Sequence, residues 1–314
     1  MATAPDDALE PAISFESVTK RFDSTVAVNQ VSLRVARGAV FGLIGPNGAG
    51  KTTAFSIVCG YLKPDSGTVR VLGHAPGDLA TLKGRIGALP QDASLPANDR
   101  VGEVLVYFGH LLGMPKAEAT LKAKDALERV GLSQWWRVGC GALSHGMAKR
   151  VGLAQAFLKS PELVLLDEPT AGLDPKSASH LREFIKQQRK EGHTIVISSH
   201  NLTELEELCD AAAILDRGQI AGMGSMAELT RSVGEVRIKL GNEAAPLGEL
   251  RALACVASAS FDAGARLLSI TYSPGQHEAE AVIGEVLKLL LARGARISGV
   301  SKGHSLEERV MELT

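Results

Sequence analysis

Residues 40–58 read "VFGLIGPNGAGKTTAFSIV", and the rest of the chain takes its bearing from how this stretch folds. A nearly continuous apolar run, the kind that forms a strand buried on both faces, gives way to a short loop with three glycines, and a helix-forming run begins at Lys51. The loop Gly45, Pro46, Asn47, Gly48, Ala49, Gly50, Lys51, Thr52 fits the pattern G-x-x-x-x-G-K-[ST]. Glycines at these places let backbone N–H groups curl around phosphate oxygens where a helix begins, so positive partial charge converges on one point. Lys51 would reach the β- and γ-phosphates of a nucleotide, the Thr52 hydroxyl would ligate Mg2+, and Thr53 would add a phosphate contact. A glycine turn that matches by accident is the alternative. The order strand, loop, helix is the one a phosphate site requires, and the glycine spacing is wrong for a dinucleotide fingerprint.

Further along, residues 143–175 read "LSHGMAKRVGLAQAFLKSPELVLLDEPTAGLDP". The aliphatic run "LVLLD" delivers Asp167 to the carboxyl end of a strand, where open α/β sheets bind ligands. Asp167 suits Mg2+ coordination there, and the adjacent Glu168 can face an attacking water as a base or water-orienting group. Ser144 reads as a helix N-cap with Gly146 beside it, presenting free N–H groups suited to an anion. Asp174, before Pro175, reads as another N-cap.

Outward from these two stretches the chain organises itself. Residues 1–12 read as a flexible tail, and residues 13–40 alternate as antiparallel strands of a β lobe. Residues from about 94 to 160 turn helical, with stops at Gly113, Pro115 and Gly131. "LVLLD" and "TIVISS" are separated by a helix from about Pro175 to Glu191, the rhythm of a parallel sheet, and "AAAILDRGQIAGMG" turns as a hairpin at Arg217-Gly218. The composition shifts near Val233, which places one domain at 13–232 and a second at 233–314. In the second, "EVRIKL", "PLGELRAL", "ACVASAS", "RLLSITY", "EAEAVIGEVLKLLL" and "RISGV" run strand, helix, strand, strand, helix, strand, the order of a ferredoxin-like α+β unit. Ala279, Val282, Ile283, Val286, Leu287 and Leu290 make one helical stripe, and Ser305 with Glu308 stands at capping-box spacing before a closing helix.

Composition narrows the function. The 314 residues carry a formal net charge of -1, so no basic footprint invites nucleic acid. The four cysteines stand far apart with no Cys-x-x-Cys pair, which favours neither a zinc site nor a disulfide framework and fits a reducing cytoplasm. The first residues lack a basic start and an apolar run, so they do not read as a signal peptide. Every apolar run falls short of the ~18 residues a membrane span requires.

With these motifs in order, the chain resembles the ATP-binding subunits of ABC transporters over nearly its whole length. "LSHGM" looks like that family's signature, usually Leu-Ser-Gly-Gly-Gln, followed by Walker B "LVLLDEP" and the D-loop "AGLD". The resemblance implies that Phe22 in "TKRF" stacks on adenine, that Gln91 in "ALPQD" is the Q-loop glutamine near the γ-phosphate and Mg2+, and that His200 in "ISSH" is the switch histidine. Taken alone, Phe22 reads rather as a core aromatic. The resemblance further implies a P-loop ATPase core in which two chains sandwich two ATP molecules head to tail, each phosphate between one chain's Lys51 and the other's Ser144, with Asp174 reaching across the dimer. Exporter-type members carry a small domain after the hairpin and work on a separate membrane permease, peripheral to the cytoplasmic face of the cell membrane. Leu95, Val101, Tyr107 and Phe108 are candidate permease contacts, though each also fits a core.

His145 and Met147 depart from the signature. A backbone N–H survives any non-proline substitution, so the expectation is a site that stays active, with its efficiency the property that the two departures put in question. The alternative functions are a soluble ABC-type ATPase that remodels a protein or nucleic-acid complex, and a P-loop kinase or GTPase. The signature and the absence of an Asn-Lys-x-Asp run argue against the latter.

Overall fold

The computed structural model describes residues 10–92, 94–230, 234–241, 244–273, 278–302 and 306–313. Two antiparallel strands come first, β1 (Ile13–Phe22) and β2 (Thr25–Val35), then β3 (Val40–Ile44), α1 (Lys51–Val58) and β4 (Ser66–Val71). β4 returns to pair with β1, giving an antiparallel sheet in the order β2-β1-β4. Exposed and buried residues alternate through the second half of β2, as expected where one face packs inward and the other meets water.

β3 leaves this lobe because all five of its residues are buried, and only the middle of a covered sheet can bury both faces of a strand. The chain continues through α2 (Leu79–Leu82), β5 (Ile86–Leu89), α3 (Val101–Leu111), α4 (Lys116–Arg129), α5 (His145–Ala156), β6 (Leu163–Asp167), α6 (Pro175–Lys190), β7 (Thr194–Ser199), α7 (Leu202–Leu208), β8 (Ala211–Asp216) and β9 (Gln219–Ser225). The six strands order as β5-β6-β7-β3-β8-β9, parallel except for the terminal hairpin strand β9. Leu163 to Leu166 are at most 1% exposed, so each contributes about 1.5–3 kcal/mol of burial to this sheet. α3, α4 and α5 form the helical insert, and side-chain caps start α5 at Ser144 and α6 at Asp174.

The turn from β3 into α1 is geometrically confined. Gly45 has φ 154°, and a Cβ there would lie 2.3 Å from the Leu215 carbonyl oxygen of β8. Gly50 has φ 105°, and its Cβ would lie 2.3 Å from the Ala27 carbonyl oxygen of β2. Both positions combine a left-handed backbone with a backbone neighbour that cannot yield, so only glycine fits.

The chain divides into two compact units, the second spanning Ala227–Glu312. The division falls inside α8 (Met226–Leu229), upstream of the composition shift at Val233, because the Met226 N–H still bonds Asp210 O of the first unit at 2.9 Å. The second unit contains β10 (Glu235–Leu240), α9 (Leu247–Arg251), β11 (Ser258–Asp262), β12 (Leu267–Thr271), α10 (Ala279–Ala292), β13 (Ile297–Lys302) and, up to Glu312, α11 (Leu306–Leu313). Its sheet is antiparallel in the order β11-β12-β10-β13, the ferredoxin-like arrangement. Val282, Val286 and Leu290 of α10 are fully buried against Val236, Ile238, Leu268 and Ile270. The strand expected in "ACVASAS" starts late, at Ser258, because the Val256 N–H closes a turn onto Leu253 O at 3.0 Å. The closing helix is present as α11, and its expected cap Ser305 lies outside the described residues.

Two substitutions test this packing. Gly50→Ala should lower stability by about 1–3 kcal/mol, read as a shifted denaturant midpoint. Leu290→Ala should cost about 2–5 kcal/mol, with faster amide exchange in β10 and β12 than elsewhere. An unchanged midpoint in either variant would contradict the corresponding packing.

Candidate nucleotide site

Parallel pairing brings the chemistry to one sheet edge. Ile44 lies level with Ser199, Asp167 with Ser198, and Leu89 with Leu166, so the glycine loop, Asp167–Glu168, His200 and Gln91 all leave the sheet at its carboxyl end. Pro46, Asn47 and Gly48 form the exposed crest of the loop, while Gly45, Ala49 and Gly50 are buried beneath it.

Lys51 is 6% exposed, and its Nζ donates to Gly45 O at 2.7 Å and Pro46 O at 3.1 Å, wrapping the loop around its own ammonium. Burial pulls this ammonium below its usual pKa range, and the Glu168 and Asp167 carboxylates oppose that shift. The exposed Thr52 donates from Oγ1 to Asp167 Oδ2 at 3.2 Å. Ser198 Oγ donates to the other oxygen, Asp167 Oδ1, so the carboxylate is held from β7 and from α1. A hydroxyl beside a carboxylate is a hard-oxygen donor pair suited to Mg2+, which fills its remaining positions with phosphate oxygens and water. Among the described residues no three of His, Cys, Asp and Glu gather into a closed metal cage. Thr53 is half-buried one residue further along α1.

Glu168 is 5% exposed and stands in the left-handed region at φ 47°. Its N–H reaches Ser198 O at 3.0 Å and Ser198 Oγ at 3.2 Å. Its carboxylate Oε2 accepts from His200 Nδ1 at 2.8 Å and from the His200 backbone N–H at 3.4 Å. The His200 side chain remains 68% exposed, so one ring edge holds Glu168 while the rest faces outward.

Other candidates stand elsewhere. Gly146 lies against Leu173 and Ser177, on the D-loop side of α5, and Ser144 is exposed with its Oγ accepting the Met147 N–H at 3.3 Å. No described contact joins Ser144 or Gly146 to the glycine loop of the same chain. The His145 ring stands at the α5 start beside Gly172, whose Cβ position is 3.2 Å from Nε2. Asp174 accepts from the Ser177 hydroxyl and N–H and the Lys176 N–H, which together hold its carboxyl below the usual range. Phe22 is 44% exposed at the end of β1 with Lys20 Nζ 5.7 Å from its ring, so it is an available platform rather than a core aromatic. Gln91 is exposed.

Three features went unread in the sequence. Ser198 clamps Asp167 and Glu168 from the neighbouring strand, which only the β6–β7 register reveals. Thr170 donates to Glu204, which also takes Arg182, bracing the turn after Glu168 against α6 and α7. Lys149 is 5% exposed with Nζ 2.6 Å from Glu168 O. Its signal was available, since Lys149 falls on the helical stripe shared with Gly152, Leu153 and Ala156, all buried.

Comparison with known proteins adds to this geometry. A family model described as "ABC transporter" matches residues 28–171, and one described as "AAA domain, putative AbiEii toxin, Type IV TA system" matches residues 141–206. The linearmycin resistance ATP-binding protein LnrL of Bacillus subtilis is 36% identical over 220 residues, 70% of this chain and 71% of that one. The daunorubicin resistance ATP-binding protein DrrA3 of Streptomyces coeruleorubidus is 33% identical over 308 residues, 97% of this chain and 96% of that one. Among solved structures, cbiO1 from Clostridium perfringens, part of the ABC transporter complex cbiONQ, aligns with a TM-score of 0.64 at 29% identity, covering 70% of this chain and 91% of that one. Likeness that runs through both units, joined to a phosphate loop facing paired carboxylates, settles the family: the chain belongs to the ATP-binding subunits of ABC transporters, ATPases whose turnover is coupled to transport.

Proposed function

We propose that two copies of this chain close head to tail around two ATP molecules and drive export through a separate membrane permease. The observation that carries this reading is the division of the phosphate site. Lys51, Thr52, Asp167, Glu168 and His200 gather at one edge, whereas Ser144 and Gly146 open α5 away from it, exposed or packed on the D-loop. A helix N-terminus left open to solvent is an anion site awaiting a phosphate from a second copy. Export is supported by relatives named for linearmycin resistance, daunorubicin resistance and Nod factor export.

In this mechanism Lys51 and the loop amides hold the β- and γ-phosphates, and Phe22 stacks on adenine. Thr52, Asp167 and Gln91 would hold Mg2+, which supplies charge neutralisation of the phosphate oxygens when bound. Glu168, aimed by His200, orients the water that attacks the γ-phosphorus, and the leaving group is ADP. Thr53 adds a phosphate contact, and Asp174 supports the segment facing the second copy. Closure adds contacts that exist only with ATP present, so hydrolysis reopens the dimer.

No helix among the described residues is long and apolar enough to cross a membrane, so force must pass to the permease through a surface. Of the four candidate permease contacts, Val101 is fully buried at the start of α3 and is core. Leu95 and Phe108 are half-buried, and Tyr107 is 61% exposed. A groove of 270 Å³ lined by Tyr61, Leu79, Leu82 and Ile86 is better suited, because Tyr61 and Leu79 are 79% and 72% exposed with nothing in this unit to cover them. The subunit then rests on the cytoplasmic face of the membrane.

Glu168→Gln should lower turnover at least about a hundredfold while ATP affinity stays within threefold, and should trap an ATP-dependent dimer by size-exclusion chromatography. Purified from detergent-solubilised membranes with ATP and Mg2+, that variant should bring down a multi-span protein in stoichiometric amount. Recovery of soluble partners alone would replace the transporter reading with a remodelling ATPase. Leu79→Asp should keep ATP binding and lose the membrane partner; undiminished co-purification would move the docking surface elsewhere.

A further inference from the structure

Lys149 is a cation placed where an apolar residue would pack more cheaply. It is 5% exposed on the buried stripe of α5, and burying an ammonium costs several kcal/mol unless specific partners compensate. Its Nζ donates to the carbonyl oxygen of Glu168 at 2.6 Å. Burial pulls this ammonium below its usual pKa range, and the Glu168, Asp167 and Asp92 carboxylates oppose that shift.

The carbonyl it holds belongs to a strained residue. A non-glycine residue in the left-handed region costs about 1–3 kcal/mol and persists only where its surroundings over-determine it. At Glu168 three elements do so. The N–H is fixed by Ser198 of β7, and the carbonyl takes the Ala171 N–H of the following turn at 3.2 Å and Lys149 of α5. Rotation of this peptide would swing the carboxylate away from His200, whose Nδ1 now lies 2.8 Å from Oε2.

We propose that Lys149 is a positioning residue for ATP hydrolysis: by holding the Glu168 carbonyl it locks that residue's left-handed backbone and so aims the carboxylate at the attacking water. This rests on the reading of Glu168 as the water-orienting group. The helix that carries Lys149 begins at Ser144, so contact made at the helix start and the aim of Glu168 share one rigid element. Lys149, 5% exposed and bonded to the Glu168 carbonyl, acts in this proposal through Glu168.

The test is steady-state ATP turnover and equilibrium ATP binding by the full chain, with Lys149→Met, Lys149→Gln and Glu168→Gln measured together. Methionine matches the lysine stem and donates nothing, so kcat should fall about tenfold to a hundredfold while ATP affinity stays within threefold. Glutamine keeps a donor that ends one bond short, and its kcat should lie between those of the parent and the methionine variant. A methionine variant with parental kcat would overturn the proposal. So would kcat and affinity falling together with glutamine no better, which is the signature of packing alone. If the methionine variant fails to fold, glutamine decides: a parental kcat refutes the proposal and a fall of at least about threefold supports it. Full turnover by Glu168→Gln would remove the reading of Glu168 and this inference with it, whereas an inactive Glu168→Gln beside a parental Lys149→Met would remove this inference alone.

Discussion

The confinement of the glycine loop between two sheets is the constraint on which the rest of the first unit depends. Gly45 passes against the Leu215 carbonyl of β8 and Gly50 against the Ala27 carbonyl of β2, so the loop cannot move without moving both. Its amides and Lys51 therefore keep one direction, and the ammonium is buried against the loop's own carbonyls at Gly45 and Pro46. A loop held in this way is suited to phosphate through preorganisation, since its donors are fixed in direction without a ligand.

Opposite that loop, the β6 strand end presents two adjacent acids in different settings. Asp167 is shared between hydroxyls of α1 and β7, and Glu168 is turned by a left-handed backbone toward His200. The turn separates their directions, which two consecutive residues of a straight strand would achieve only by facing opposite sides of the sheet. Two buried cations, Lys51 and Lys149, flank the pair, and each is drawn below its usual pKa range by burial while the same carboxylates resist. The site is thus a compact cluster of two acids and two buried ammonium groups set close together.

The α5 helix connects this cluster to the exposed face. Its first turn offers Ser144 and Gly146 beside the D-loop, and its second turn inserts Lys149 behind Glu168. His145 stands at the N-terminal end beside Gly172, where a glycine on the facing loop leaves room for a ring. The departure from the family's usual signature is therefore accommodated sterically by the D-loop.

Much of this was legible in the sequence because the physics involved is local. Strand, glycine loop and helix follow one another in residues 40–58, so the phosphate loop and Thr52 could be named from spacing, and so could Asp167 and Glu168 at a strand end. Six elements of the second unit, β10 to β13 with α9 and α10, were readable from periodicity, and their order matches the antiparallel sheet found. Partners distant in the chain were not legible. Ser198 reaches Asp167 and Glu168 only because β6 and β7 pair in one register, and Lys149 meets Glu168 only because α5 packs behind β6. Val101, which periodicity could equally place outside, is core for the same reason, and Phe22, an expected core aromatic when read alone, is exposed. The sequence by itself determined which residues are candidates for the chemistry, since backbone geometry and side-chain type are local properties. Tertiary structure alone decided which groups hold them in position, because those contacts join segments whose separation along the chain conceals their meeting in space.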